Sequence, residues 1–166
     1  MAKPPPAVAA QIAALPRNDA KRGPELLHVT LALLFDLHRA PPDWLPTTIA
    51  ALDAFDGTAF PLAFDRIENR KAVTLRTRDP LPEARAFQAA LIRHLVSARA
   101  PLMLGTTPEP HLTINYGGDR LRAEKIAPIG WTVEEILLVE SVVGQTRHVE
   151  HGCWKLRPTV TSPLPI

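Results

Sequence analysis

His28-Val29-Thr30-Leu31 and His111-Leu112-Thr113-Ile114 repeat one short pattern in opposite halves of the chain. Side chains alternate across a strand, so each His and its Thr face one way while the apolar residues between them face the other. An imidazole titrates near neutrality and serves as proton donor or acceptor, and a hydroxyl two residues along can hold an anionic oxygen beside it. Two such pairs on two strands imply acid/base work on a phosphate. With 6 His in the chain a lone His-x-Thr carries little weight, and context gives the pairs theirs. Leu26 to Leu34 reads as a buried strand interrupted only by its polar pair, and Glu109 to Tyr116 as a second strand entered through Pro110. A His buried in a strand costs free energy unless it is hydrogen-bonded, and two such costs with the same spacing point to use.

Elements that position these strands are legible around them. Ala7 to Leu15 is an alanine-rich helix ended by Pro16, and Asp43 to Phe55 a helix with apolar Trp44, Leu45, Ile49, Leu52 and Phe55. Thr58 to Ile67 and Ala72 to Arg78 form a hairpin around Glu68-Asn69-Arg70-Lys71, and Leu81 to Ala100 is a helix with a Phe87, Leu91, Leu95 stripe. Phe35 to Pro42 is a loop, and Tyr116-Gly117-Gly118-Asp119 turns the chain out of the second histidine strand. Ile129 to Val143 holds apolar runs, Gly144 to His148 is a hairpin connection, Val149 to Leu156 is a last strand, and the tail after Arg157 is extended. Strand, helix, strand units recur in both halves. The expected fold is α+β: a single domain over 1–166 with two lobes, mainly antiparallel sheets flanking a central cleft, and pseudo-twofold symmetry.

Composition bounds the reading. The chain has 166 residues, 46% of them hydrophobic, enough for one domain with a sizeable core. No apolar run approaches the ~20 residues of a membrane helix, and no secretory signal pattern opens the chain, so the expected compartment is the cytoplasm. Cys153 is the only cysteine, which excludes an internal disulfide and a thiolate-rich zinc site. A net charge of +2 is too mild for a protein gripping long nucleic acid; a small anionic ligand or a short RNA end fits better.

Taken together, the two His-x-Thr strands and the order of helices and strands between them resemble the two-histidine phosphoesterase superfamily, in its bacterial 2'-5' RNA ligase or RNA 2',3'-cyclic phosphodiesterase branch. Trp131 to Ser141 also resembles the strand that follows the second signature there. The opening Met1-Ala2-Lys3-Pro4 departs from the pattern: it is a stub of the apolar strand with which members begin, and an edge left without its strand must be covered or paired. The resemblance implies a metal-independent, cofactor-free enzyme that hydrolyses RNA 2',3'-cyclic phosphate ends to 2'-phosphates, together with 2'-5' RNA ligation. His28 would be the acid and His111 the base, an assignment the residues leave open, with Thr30 and Thr113 binding the phosphate.

Ala32 and Asn115 share the faces of the two pairs and are candidate cleft residues, as are Arg76, Arg147 and His148. Arg78 shares the face of Arg76, His38 and His94 read as surface residues, Trp44 and Trp131 as core, and Tyr116 as a packing residue on the opposite face. Expected partners are RNA ends or small 2',3'-cyclic nucleotides, with no membrane and a monomeric chain. Three other readings use the same residues. The cleft holds a nucleotide or RNA end without catalysis, the histidines join His148 or a carboxylate around a zinc ion, or both pairs are purely structural.

Overall fold

Prolines open the first and last of the α-helices, and burial alternates along part of the strands. The computed structural model describes residues 1–21, 23–34, 40–69, 71–103, 109–117, 122–142 and 147–159. His38, much of the loop at 35–42, the second half of the turn at 116–119, the connection at 143–146 and the tail from 160 lie outside the described residues. Helix α1 (Pro6–Ala13) starts on a proline, whose missing N–H costs nothing in a first turn. Helix α2 (Trp44–Asp53) follows. Helix α3 (Pro82–Ser97) has Glu83 in its first turn and His94 in its last, and buries Ala84, Phe87, Gln88, Leu91 and Leu95.

Strands β1 (Phe60–Asn69) and β2 (Val73–Arg76) form the expected hairpin. Next to them lie β3 (Leu112–Asn115) and β4 (Glu124–Val133), giving an antiparallel sheet in the order β3-β2-β1-β4. Along β1, Phe60, Leu62 and Phe64 are buried; a bulge between Phe64 and Arg66 then shifts the parity so that Ile67 returns to the core. Strands β5 (Glu135–Val142) and β6 (Arg147–Lys155) pair antiparallel as a second sheet. α3 packs on β1, α2 on α3 and β6, and α1 on β4. These are the antiparallel sheets and helices of the expected α+β class.

Four local expectations change. Trp131 to Ser141 is not one strand, because the ladder breaks at Glu134 and the two parts join different sheets. The first histidine segment makes no continuous ladder: Pro24–Leu26 is a 3-10 turn, and beyond it the chain is extended with single bridges from Val29 to Ala2 and to Leu112, and from Leu34 to Leu102. His94 is not a surface residue, since its Nε2 lies 2.7 Å from the Ala51 carbonyl and its ring meets Phe55. Trp44 is half-buried against His151, whereas Trp131 is a core residue against Phe64.

Met1 and Ala2 are paired on both sides. The Ala2 N–H donates to the Val29 carbonyl at 2.9 Å and Val29 N–H donates back at 2.8 Å. The Met1 amine donates to the Leu137 carbonyl at 2.7 Å, and Leu137 N–H to the Met1 carbonyl at 2.8 Å. Two residues thus join the first histidine segment to β5 and tie the two sheets together.

Candidate active site

Backbone register brings the two signatures side by side. Val29 bridges Leu112 in the antiparallel sense, and both side chains are fully buried. The flanking residues therefore point to the other face, with His28 abreast of Thr113 and Thr30 abreast of His111. On the far side of β3, Thr113 pairs with Thr74 and Leu112 with Leu75, which sets Arg76 abreast of His111. Two short rows result, His28-Thr113-Thr74 and Thr30-His111-Arg76. All six residues line one open cavity of about 530 Å³, together with Lys71, Ala72 and Tyr116.

Both imidazoles are held in the same way. His28 Nδ1 lies 2.8 Å from the Leu26 carbonyl and His111 Nδ1 lies 2.7 Å from the Glu109 carbonyl, in each case two residues back along the chain. A carbonyl only accepts, so each Nδ1 carries the proton and donates it, and Nε2 becomes the nitrogen at which a proton is exchanged. The His28 bond is partly buried and the His111 bond is exposed.

Arg76 lines the cleft. Its Nε donates to Thr74 Oγ1 at 3.2 Å, and its guanidinium lies 3.8 Å from the Glu68 carboxylate and 3.6 Å from that of Glu109. Arg78 falls outside β2 and the cleft; its backbone N–H donates to Asp65 at 3.0 Å. His148 stands beside the site, its ring 5.1 Å from that of His28 and inclined at 70°.

Other expected cleft residues lie elsewhere. Ala32 packs against the core, because beyond Leu31 the segment leaves the register that Val29 sets. Asn115 is engaged locally: its Oδ1 accepts the Gly117 N–H at 2.8 Å and its Nδ2 donates to the Arg17 carbonyl at 3.4 Å. Arg147 is exposed at the start of β6, away from the cavity lining. Tyr116 reverses its expectation in the other direction. β3 ends at Asn115, strand alternation ends with it, and Tyr116 sits at the cavity with 66% of its surface exposed.

Thr74, Lys71, Ala72 and Tyr116 were missed as site residues. Thr74 shares strand parity with Arg76, a signal present in the sequence, but which strand neighbours the second histidine is not. Among the described residues no three His, Cys, Asp or Glu side chains gather as a metal site, and no helix is long and apolar enough to cross a membrane.

An α+β fold whose sheet carries two His-Thr pairs into one cavity is that of the two-histidine phosphoesterases. The family model of the 2'-5' RNA ligase superfamily matches residues 4–145, and the chain belongs to that superfamily. Its fold is similar to that of LigT from E. coli in complex with 3'-AMP, with a TM-score of 0.73, 18% identity, and 93% of this chain and 94% of that one covered. A phosphoesterase structure gives a TM-score of 0.74 at 16% identity, over 94% of this chain and 95% of that one. A protein of Thermus thermophilus gives 0.70 at 16% identity, over 95% and 96%. No curated protein matches the sequence.

Proposed function

We propose that the chain hydrolyses 2',3'-cyclic phosphates at RNA ends, or in small nucleotides, to 2'-phosphates by acid/base catalysis between His28 and His111, without metal or cofactor. The observation that carries this reading is the pairing of the two signatures across the Val29–Leu112 bridge, with each Nδ1 committed to a carbonyl and the residues around a shared cavity. That the similar LigT structures include complexes with 3'-AMP and ATP supports a nucleotide ligand.

In the reaction, Nε2 of one neutral imidazole takes a proton from water as the water oxygen bonds to phosphorus. The opposite imidazolium gives its proton to the 3' oxygen as that P–O bond breaks. We assign the base to His111, whose more open position suits a partner of water, and the acid to the more enclosed His28. Thr30 and Thr113 hydroxyls donate to the nonbridging oxygens as charge develops on them. Lys71 and Arg76 supply positive charge at the same cavity, and Tyr116 at its edge offers a ring face to the base of the terminal nucleoside. With the 5'-hydroxyl of a second RNA end in place of water, the same groups would form a 2'-5' bond: the 5' oxygen bonds to phosphorus as the P–O3' bond breaks and the 3' oxygen takes a proton. The expected setting is a monomer in the cytoplasm.

The test is turnover of nucleoside 2',3'-cyclic monophosphates and a cyclic-ended oligomer in EDTA, with His28→Ala and His111→Ala alongside. Release of 2'-phosphate by the parent, and a loss of at least about 10²-fold in each variant with the fold intact, is the expected result. Binding without turnover in the parent would reduce the cleft to a nucleotide-binding module, and loss of turnover in EDTA would make it a metal site.

A further inference from the structure

We propose that His148 is a positioning residue for His28, contributed by the second sheet; the inference rests on the reading of His28 as an acid/base group. The observation is the ring contact itself: the centroids lie 5.1 Å apart with the planes at 70°, an edge-to-face arrangement. The chemistry that gives it meaning is torsional. The χ2 torsion of a histidine is broad, and the Nδ1 bond to the Leu26 carbonyl leaves the ring room to librate about it. The edge of the His148 ring, inclined to that plane, narrows this libration and holds the aim of Nε2.

Structure around His148 suits this task. It is half-buried in β6, opposite Ser141 of β5, and so rides on a paired ladder rather than on a loop. β5 in turn is joined through Leu137 and Met1 to Ala2, and Ala2 pairs with Val29, the residue after His28. Backbone and ring contacts therefore connect the second sheet to the same short segment by two routes. His111 is steadied differently: Glu109, whose carbonyl accepts its Nδ1–H, also meets Arg76 through its carboxylate, within the first sheet. The two imidazoles are thus inequivalent in what orients them, and docking of the second sheet completes only the His28 half of the site.

The experiment compares the parent with His148→Ala and His148→Phe, using cyclic-nucleotide kinetics and carbon-proton NMR of the histidine rings, with the His28 signals assigned by their loss in His28→Gln. An edge-to-face ring contact is worth about two- to tenfold in rate. His148→Ala should therefore lower kcat by about that factor with KM unchanged, and His148→Phe, which keeps an aromatic edge, should recover most of it. The His28 ring signals should shift in His148→Ala and those of His111 should not. A rise in KM at constant kcat would overturn the assignment by making His148 a substrate contact, and unmoved His28 signals would overturn it by removing the contact. Should the parent show no turnover at all, the hydrolytic reading of the cleft fails by itself. The NMR comparison then decides the positioning role separately: an Nδ1–H tautomer of His28, read from its ring carbon shifts, that is lost in His148→Ala and kept in His148→Phe supports it, and one kept in both variants overturns it.

Discussion

At the residue scale, the proposed reaction divides the cavity between groups that would hold the phosphate and groups that would hold the rest of a nucleotide. Thr113 lies abreast of His28 in the interior of the cleft, whereas Tyr116 stands at its edge with 66% of its surface exposed. A hydroxyl aimed at developing charge acts on the transition state, and its loss costs up to about 10²–10³ in rate. Stacking of a base acts on the ground state and transition state alike, at about 1–3 kcal/mol per base. Thr113→Val is therefore expected to lower kcat with little change in KM. Tyr116→Ala is expected to raise KM about five- to a hundredfold at nearly constant kcat, and only for substrates that carry a base. Steady-state kinetics on a nucleoside 2',3'-cyclic phosphate and on a methyl riboside 2',3'-cyclic phosphate check both. Equal losses of kcat in the two variants would show that the cleft does not divide in this way.

At the element scale, the weak point is the backbone that carries His28 and Thr30. It has single bridges where a strand would have a ladder, and its missing support comes partly from a helix. Gln88 of α3 is buried, and its Nε2 donates to the carbonyls of Thr30 at 3.4 Å and Leu31 at 3.3 Å. A glutamine in the apolar stripe of α3 is costly unless its amide is used, and here it is used on the segment that most needs it. Gln88→Leu keeps the volume but leaves two carbonyls without this donor, so a destabilisation of about 1–3 kcal/mol is expected. Turnover should fall with it, because Thr30 and His28 lose their fixed position. Urea unfolding measures the first, and faster hydrogen exchange at the Val29 amide than at β1 amides measures the loosening. His94 does comparable work between helices, its ring bonding the Ala51 carbonyl of α2 from α3.

At the scale of the whole molecule, Met1 and Ala2 link the second sheet to the first histidine segment by backbone bonds. The Met1 amine sits at the junction with β5, and desolvation there together with the nearby Lys3 charge pushes its pKa down from 8.0 to about 5. The folded state thus favours the neutral amine, while the unfolded chain takes up its proton near the ordinary value. Between pH 8 and pH 5 the unfolded state binds more protons, so stability falls as pH drops through that window. For this chain the urea midpoint is expected to be lower at pH 5.5 than at pH 8. The drop should be smaller when the amine is acetylated, since an acetyl amide does not titrate; an identical drop in the two forms would assign the effect to other groups.

The sequence by itself determined the local chemistry and the local elements. The two His-x-Thr patterns, the β1–β2 hairpin and the stripe of α3 all follow from spacing and alternation, which act between near neighbours along the chain. The α+β class followed from their order. Tertiary structure decided what meets what: that Val29 lies against Leu112 and so sets His28 beside Thr113, and that β2 brings Thr74 and Arg76 to the second histidine. It also decided that Ala32 turns into the core while Tyr116 turns out, because strand parity holds only while the ladder lasts, and that Met1 and Ala2 suffice to pair two edges. Strand neighbours separated by 83 residues, like a ring contact between sheets, depend on how the whole core closes, and no periodicity along the chain encodes them.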